Sequence, residues 1–324
     1  MNTDRPLVSA VINNYNYGRF LRDAIDSALA QTYANIEVIV VDDGSTDDSR
    51  EIIASYGDRI IPVLKENGGQ ASAFNAGFAA SRGEWICLLD SDDTWHPEKV
   101  EAIVAAVAEQ EGVALIYHAY QCTDSDLRPV GKVLPKSFLE GEVAQRVLRS
   151  AGYWPCPPTS ALALPRQVLA ACAPIPVEVF RICADACLSY TVPFLGRVIA
   201  VRRSLCSYRI HGTNAYTRGG PTSLQRWSLD SAARAQRYRD TVDGANQVLE
   251  RAGRVERLAL RNHVAYALAI FHAGLGGHPS CLEVSWRLLW HASAASWRDR
   301  LRSVARFWVD LARTKWRSSQ RNDA

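Results

Sequence analysis

The chain has 324 residues, of which 48% are hydrophobic and 22% are charged, and its formal net charge at pH 7 is +3. This is the composition of a globular protein with room for a sizeable core, so it excludes a disordered or fibrous chain. The net charge is too small to indicate a nucleic-acid partner.

The eight cysteines are scattered along the chain and form no C-x-x-C pair. That pattern is typical neither of a zinc ribbon nor of a secreted disulfide scaffold, and it predicts reduced thiols in the cytoplasm. We expect no signal peptide, because a strand is predicted within the first ten residues without a charged and apolar leader. No uninterrupted apolar run approaches the roughly 20 residues that cross a bilayer, so we expect a protein that is soluble or lies on a membrane surface.

The first part of the chain alternates between strands and helices. Four short apolar runs predict strands at Leu7–Ile12, Ile36–Val41, Ile60–Leu64 and Trp85–Leu89. Helical spacing follows the first strand, Ser45 or Thr46 is expected to cap the next helix, and an alanine-rich helix is predicted over 71–81. Repeated strand-to-helix units predict an α/β fold with a doubly wound, mostly parallel sheet.

The fourth strand runs directly into three carboxylates, Asp90, Asp92 and Asp93. Residues i and i+2 of an extended chain point the same way, so Asp90 and Asp92 are predicted to present their side chains to one point. Oxygen ligands at a strand end suit Mg²⁺ or Mn²⁺ bound together with a diphosphate. The alternative is a solvated acidic loop before a helix that begins at Pro97. The position at the carboxyl end of a buried strand favours the ligand site.

Nucleotide-binding classes with glycine-rich phosphate loops do not fit this chain. After the first strand it has Asn13-Asn14-Tyr15-Asn16, whereas a dehydrogenase needs G-x-G-x-x-G and a P-loop enzyme needs G-x-x-x-x-G-K-[ST]. A sugar nucleotidyltransferase also needs a glycine-rich loop there. Acids at two strand ends and an aromatic at a third favour a stacked base and a metal-bound diphosphate.

Four motifs in this order resemble glycosyltransferase family 2: Val8 to Asn16, Val41 to Ser45, Asn67 to Gly69 with Asn75 to Gly77, and Leu89 to Asp93. The resemblance covers residues 7 to 105 and implies the GT-A fold and an inverting transferase that uses nucleotide-activated sugars. It also implies that Tyr15 stacks on the base, that Asp43 bonds the edge of the base, that Asp90 and Asp92 form the D-x-D, and that Asp92 is the direct metal ligand. Asn13 stands where the family usually has Pro or Thr, and its amide can still bond a base or ribose.

The resemblance implies further roles beyond residue 110, where strands are predicted at Val113–Tyr120 and Leu127–Val133. The segment from Trp154 to Ser160 is similar to the family's loop beside the acceptor, where Thr159 or Ser160 faces a sugar or simply forms a wall of the fold. Asp185 is at the position of the family's catalytic base, although Ala184 replaces the usual Glu, and the alternative role is a helix cap.

The segment from Ser207 to Asn214 is similar to the family's Tyr-Arg-x-His-x-x-Asn. By that likeness His211 is a third metal ligand, with a purely structural histidine as the alternative. Arg209 is a candidate to neutralise phosphate, because its planar donors suit that role.

We therefore predict a GT-A glycosyltransferase domain at 1–215, with a nucleotide-sugar-binding half at 1–110 and an acceptor half at 111–215. A helical C-terminal region is predicted at 216–324, with helices near 222–252, 254–274, 280–296 and 298–318. The last of these places tryptophans on one face and arginines opposite. This pattern fits a helix on the inner face of the plasma membrane and fits an apolar face packed on the protein equally well.

The predicted function is transfer of a sugar from a nucleoside-diphosphate donor to a hydroxyl of a glycan or lipid-linked acceptor in bacterial surface-polysaccharide synthesis. UDP is the preferred carrier, with GDP and dTDP as alternatives. The metal is Mg²⁺ or Mn²⁺. A non-catalytic sugar-nucleotide-binding module is the main alternative, since only Asp185 separates it from an enzyme.

Overall fold

The computed structural model describes residues 5–108, 110–151, 154, 156–212, 214, 231–263, 266–269, 280, 283–284, 301, 304–305 and 307–308. These residues divide into two compact units. The first unit contains the described residues within 1–144, 155–218 and 244–256, and the second contains those within 145–154, 219–243 and 257–324.

In the described part of the first unit, eight strands form one sheet. In chain order they are β1 (Val8–Asn14), β2 (Ile36–Asp43), β3 (Ile61–Lys65), β4 (Trp85–Asp90), β5 (Thr94–Trp95), β6 (Val113–Thr123), β7 (Leu162–Pro165) and β8 (Arg197–Arg209). Across the sheet the order is β3-β2-β1-β4-β7-β6-β8-β5. The pairs within β1 to β4 are all parallel, and β6 pairs in parallel with β8. The predicted α/β fold with a mostly parallel sheet is therefore confirmed.

Helices follow most of these strands. Those that the structure describes are α1 (Gly18–Leu29), α2 (Ser49–Ala54), α3 (Gln70–Ala80), α4 (Lys99–Val107), α5 (Ala144–Arg149), α6 (Arg166–Cys172), α7 (Ala184–Thr191) and α8 (Ser231–Arg251). α1 buries Leu21 and Ile25 against the side of the sheet that carries Val8 and Ile12, and all four side chains are fully buried. Burial of such side chains contributes about 1.5–3 kcal/mol each, so the apolar runs of the sequence are the core.

Antiparallel pairing separates the two groups of parallel strands. β7 lies between β4 and β6 and is antiparallel to both. A short 3-10 turn, Thr159–Ala161, comes directly before β7. The chain therefore enters β7 beside the carboxyl end of β4, which brings the segment before it close to Asp90.

Two local predictions are wrong. Residues 127–133 do not form a strand. Asp124 Oδ1 accepts the N–H groups of Asp126 and Arg128 in a turn, and Leu127 has a φ of 62°. A positive φ interrupts an extended chain. Beyond this turn Pro129 forms an isolated bridge with Thr123. The second helix begins at Ser49, so neither Ser45 nor Thr46 caps it. Ser45 instead accepts the N–H of Asn16, which ties the ends of β1 and β2 together.

The described residues include only part of the helices predicted for the C-terminal region. The helix predicted near 222–252 is α8. Residues 254–259 are not helical, whereas 266–269 are. Most of 280–296 and 298–318 lies outside the described residues. No helix among the described residues is both long enough and apolar enough to cross a membrane.

The described residues near the end of the second unit form a small apolar cluster. Val284 and Phe307 are buried in it, and Leu268 and Val304 pack against them. Residues 301, 304–305 and 307–308 are helical. Leu301 and Trp308 are 56% and 42% exposed.

Candidate active site

The carboxyl ends of β1, β2 and β4 open into a cavity of about 420 Å³. Six of the seven predicted site residues line it: Asn13, Tyr15, Asp43, Asp90, Asp92 and Asp185. The seventh, His211, lies with its Nε2 3.1 Å from Asp92 Oδ2. Parallel strands end at one edge of a sheet, which is why residues far apart in the sequence meet here.

Three carboxylates cluster at the end of β4. Asp90, Asp92 and Asp93 each have a carboxylate oxygen within 4.8 Å of the other two. β4 ends at Asp90, and the Asp93 N–H donates to Asp90 O at 3.0 Å. A turn, and not the alternation of an extended strand, therefore brings Asp92 beside Asp90.

Burial and mutual repulsion disfavour the charged form of the carboxylates in this cluster. Burial raises the pKa of Asp90, and the nearby Asp92 carboxylate raises it further, whereas a hydrogen bond from Asn13 opposes the shift. Burial also raises the pKa of Asp93 well above its usual range. Carboxylates this close repel one another unless one is protonated or a cation lies between them. The donor set suits a hard divalent cation.

Asp92 is also held by the segment that follows β8. Asn214 Nδ2 donates to Asp92 Oδ2 at 3.2 Å, and Asn214 Oδ1 accepts the N–H of His211 at 2.5 Å. The His211 ring packs on Phe20 and Tyr17, with centroids 4.7 and 5.5 Å away. Asn214 was not among the predicted site residues, although it belongs to the motif that pointed to His211.

Asp93 and the loop before β7 are joined through Ser160. Ser160 Oγ donates to Asp93 Oδ2 at 2.5 Å and accepts the N–H of Asp90 at 3.1 Å. The Ser160 carbonyl accepts Lys99 Nζ at 2.8 Å and Trp95 Nε1 at 3.0 Å. Ser160 is fully buried, so its hydroxyl belongs to the wall of the site, whereas Thr159 lines the cavity.

Ser160→Ala is expected to lower stability by about 1–3 kcal/mol, because it leaves the Asp93 carboxylate and the Asp90 N–H buried without this partner. Thermal or urea unfolding measures the loss. Ser137→Ala is the matched control at an exposed serine and should change stability by less than about 0.5 kcal/mol. Equal stability of the two variants would contradict the structural role of Ser160.

Asp43 organises the loop between β3 and α3. Its Oδ1 accepts Lys65 Nζ at 2.5 Å and the Gly68 N–H at 2.9 Å. Its Oδ2 accepts Asn67 Nδ2 at 3.1 Å and the Gly69 N–H at 2.6 Å. A carboxylate has about four lone-pair sites, so all of them are used in this structure.

Asp185 lies in the first turn of α7 and lines the same cavity as the acid cluster. Its Oδ1 accepts the Ala186 N–H at 2.9 Å. Burial raises its pKa. A carboxylate with a raised pKa that lines a cleft is a candidate for proton transfer.

Gln70, the first residue of α3, connects the two sides of the cavity and was missed by the sequence analysis. Its Nε2 donates to Asp90 Oδ1 at 3.1 Å, and its Oε1 accepts the Ala184 N–H at 2.9 Å. Its own N–H donates to the Arg181 carbonyl at 2.6 Å. No local pattern distinguishes this glutamine from a surface residue at a helix start.

Arg209 lies outside the cavity lining. Its guanidinium donates to Asp23 Oδ2 at 2.8 Å and to the Ser125 carbonyl at 3.0 Å, and it packs over the Phe20 ring. Arg209 is 2% exposed. The guanidinium of Arg209 is therefore used in contacts within the protein, and the structure gives no support to the suggestion that it neutralises phosphate.

A mostly parallel α/β sheet with a D-x-D at the carboxyl end of its fourth strand is the architecture of GT-A glycosyltransferases. The model of Glycosyl transferase family 2 matches residues 9–151. An uncharacterized glycosyltransferase of Nostoc sp. is 37% identical over 265 residues, which are 80% of each chain. The chain belongs to glycosyltransferase family 2 and is a glycosyltransferase.

Solved structures share the fold at low sequence identity. TarS 1-349 of S. aureus, in complex with UDP, has a TM-score of 0.53 and 16% identity over 93% of this chain and 91% of its own. The mannosyltransferase PcManGT of Pyrobaculum calidifontis, in complex with GDP-Man and Mn²⁺, has a TM-score of 0.50 and 19% identity over 96% and 87%. Both likenesses concern the fold alone.

Proposed function

We propose that this glycosyltransferase moves a sugar, with inversion, from a nucleoside-diphosphate donor to a hydroxyl of a glycan or lipid-linked acceptor. The observation that carries the proposal is that Asp90, Asp92 and Asp185 line one cavity. Two of these acids belong to a cluster suited to a cation, and the third has a raised pKa suited to a base. One cavity therefore contains groups for the leaving diphosphate and for the attacking hydroxyl.

The proposed donor is UDP-linked. Tyr15 is 47% exposed and lines the cavity, so its ring is available to stack on a base. A pyrimidine imide N–H would donate to Asp43, and it would have to replace one of the four present donors. The Gly68 and Gly69 donors are backbone groups, so the group displaced would be one of the two side chains, Lys65 or Asn67. The UDP in TarS supports this choice of nucleotide by fold likeness only.

The residues proposed to hold a divalent cation, Mg²⁺ or Mn²⁺, are Asp92 and His211, with Asp90 beside them. The 3.1 Å separation of Asp92 Oδ2 and His211 Nε2 supports this set, as does the Mn²⁺ in the P. calidifontis mannosyltransferase. A cation at this position would stabilise the charge that develops on the departing nucleoside diphosphate. Asp90 is oriented by Asn13 and Gln70, which both donate to its Oδ1.

Asp185 is proposed to accept the proton of the acceptor hydroxyl as that oxygen attacks the anomeric carbon. The Ala186 N–H donates to its Oδ1, which orients the carboxylate within the cavity that it lines. This role distinguishes the proposal from a non-catalytic sugar-nucleotide-binding module that uses the same cavity.

Donor hydrolysis tests the proposed function. Without an acceptor, the enzyme should release UDP slowly from a UDP-sugar when Mn²⁺ is present and should release none after chelation. A panel of nucleotide sugars screened by thermal shift with Mn²⁺ identifies the donor. Binding of a nucleotide sugar with neither hydrolysis nor transfer to any of a panel of glycan acceptors would favour the non-catalytic module.

The acceptor is proposed to be at the cytoplasmic membrane, in bacterial surface-polysaccharide synthesis. Leu301, Ala305 and Trp308 are exposed at helical spacing i, i+4 and i+7, whereas Phe307 is buried. The described part of this helix therefore presents one apolar face to its own cluster and a second one outward. Six arginines occur in the same stretch of sequence: Arg298, Arg300, Arg302, Arg306, Arg313 and Arg317. Such a composition suits a surface of anionic lipids.

Leu301→Asp combined with Trp308→Asp is expected to abolish co-sedimentation with anionic vesicles while the melting temperature stays within a few degrees. Each arginine near the surface contributes about 1 kcal/mol, so wild-type binding should weaken at high salt. Phe307→Asp is the matched control, because it places a charge in the cluster and should lower the melting temperature strongly. If the double variant unfolds as readily as the control, the exposed face is part of the core and the membrane proposal is wrong.

A further inference from the structure

Gln70 is the side chain that bridges the donor side and the base side of the cavity. Through its amide nitrogen it bonds Asp90, at the end of β4, and through its amide oxygen it bonds the Ala184 N–H, at the start of α7. Ala184 is directly before Asp185. A single planar amide therefore connects the carboxylate of the D-x-D with the helix that carries the proposed base.

The backbone around Gln70 keeps this bridge in place. The Gln70 N–H donates to the Arg181 carbonyl at 2.6 Å. Gly69 has a φ of +88°, and a Cβ there would lie 2.3 Å from the same carbonyl oxygen. Only glycine permits so close an approach of the two chain segments. Arg181 also donates to Asn67 Oδ1 at 2.6 Å and to the Gly68 carbonyl at 3.3 Å, so three hydrogen bonds of Arg181 hold the segment before α7 against the start of α3.

We infer that Gln70 is a positioning residue that sets the location of Asp185 relative to Asp90, and through Asp90 relative to the donor. This inference rests on the proposed function, in which Asp185 is the base. The distance between a base and the reacting atoms matters strongly, because a misplacement of about 1 Å can cost about 100-fold in rate. Gln70 acts through Asp185 and takes no proton itself.

The test is a double-mutant cycle between Gln70→Met and Asp185→Asn. Methionine keeps an unbranched side chain and good helix propensity but makes neither hydrogen bond. Gln70→Met alone should lower kcat about 10- to 100-fold, with the donor Kd changed much less. In the Asp185→Asn background the same change should lower kcat by a much smaller factor, because the effect exerted through the base is then absent and only the hydrogen bond to Asp90 is lost.

Gln31→Met is the matched control. Gln31 also uses both ends of its amide, donating to the Ser27 and His96 carbonyls and accepting the Val100 N–H, and it does not line the cavity. Its loss should lower the melting temperature and leave kcat and the donor Kd near wild type. Melting curves of all variants separate lost stability from lost positioning.

Each outcome decides between distinct conclusions. If Gln70→Met lowers kcat by the same factor in the Asp185→Asn background as in the wild type, the two residues act independently. The inference is then wrong, but the assignment of Asp185 as the base is unaffected. An unchanged kcat in Gln70→Met likewise overturns the inference alone. An unchanged kcat in Asp185→Asn overturns the proposed base and the inference with it. Should Gln70→Met fail to fold, Gln70→Ala, the best helix former, takes its place in the same cycle.

Discussion

Asp92→Asn is expected to abolish detectable sugar transfer, a loss of about a thousandfold or more, and to weaken UDP binding in the presence of Mn²⁺. The asparagine retains an oxygen that can accept from Asn214, but it loses the negative charge that would hold a cation beside His211. Electrostatic stabilisation of the leaving group is typically the largest single contribution to such a reaction. Turnover assays and calorimetry with and without Mn²⁺ measure the two effects.

The fold should survive this change. Asp92 raises the pKa of Asp90 and of Asp93 by repulsion, so removal of its charge relieves the cluster and the melting temperature should stay level or rise. Asp58→Asn, at an exposed aspartate, is the charge-matched control and should retain full activity. A variant at Asp92 that binds UDP with wild-type affinity in Mn²⁺ would show that the cation is held elsewhere.

Asp185→Asn should lower turnover about 10²–10⁴-fold, the usual contribution of a general base, with donor affinity near wild type. The amide keeps the size of the side chain, and its oxygen can still accept the Ala186 N–H, so α7 should remain intact. A fall of less than about tenfold, short of that range, would identify Asp185 as a helix cap, and another base would have to be sought.

The pH dependence of the wild-type enzyme tests the same residue in a second way. Burial raises the pKa of Asp185, and a base acts only when it is ionised. The rate should therefore fall as the pH drops through the pKa of Asp185, which is raised above the ordinary value of an aspartate, and it should recover as the pH rises. In the Asp185→Asn variant, the pH profile of the residual rate should no longer show this decrease at acidic pH. If the decrease at acidic pH remains in this variant, a group other than Asp185 causes it.

The nucleotide-binding half could be predicted from the sequence because its strands and the polar residues that follow them are visible in short stretches of sequence. Each of the first four strands is a short apolar run followed by polar residues that belong at the carboxyl edge. β1, β2 and β4 are buried on both faces, whereas β3, at the edge of the sheet, is only partly buried. In the acceptor half, the strand predicted at 127–133 is wrong, and β7 and β8 were not predicted. At that point the Asp124 side chain accepts two backbone N–H groups and stabilises a turn.

The contacts that assemble the site could not be predicted, because their partners are far apart in the sequence. Ser160 bonds Asp93 across 67 residues, and Ala184 bonds Gln70 across 114. Serine, glutamine and asparagine have no preferred partner, so their roles become visible only when the strand order brings them to one edge. Family resemblance supplied Asp185 and His211 but no account of what orients them.

The connection between Asp92 and the segment after β8 has a consequence for the order of folding. Asn214 and His211 are 122 and 119 residues from Asp92 along the chain, whereas β1 to β4 pair among residues 8–90, which are translated before them. Non-local pairings of this kind form slowly, since loop-closure entropy is lost before the contact is gained. We expect the nascent chain to build the β1–β4 sheet early and to complete the acidic end of the cavity only after β8 has joined β6. A chain arrested before residue 211 would then lack both His211 and Asn214, the two side chains that hold Asp92.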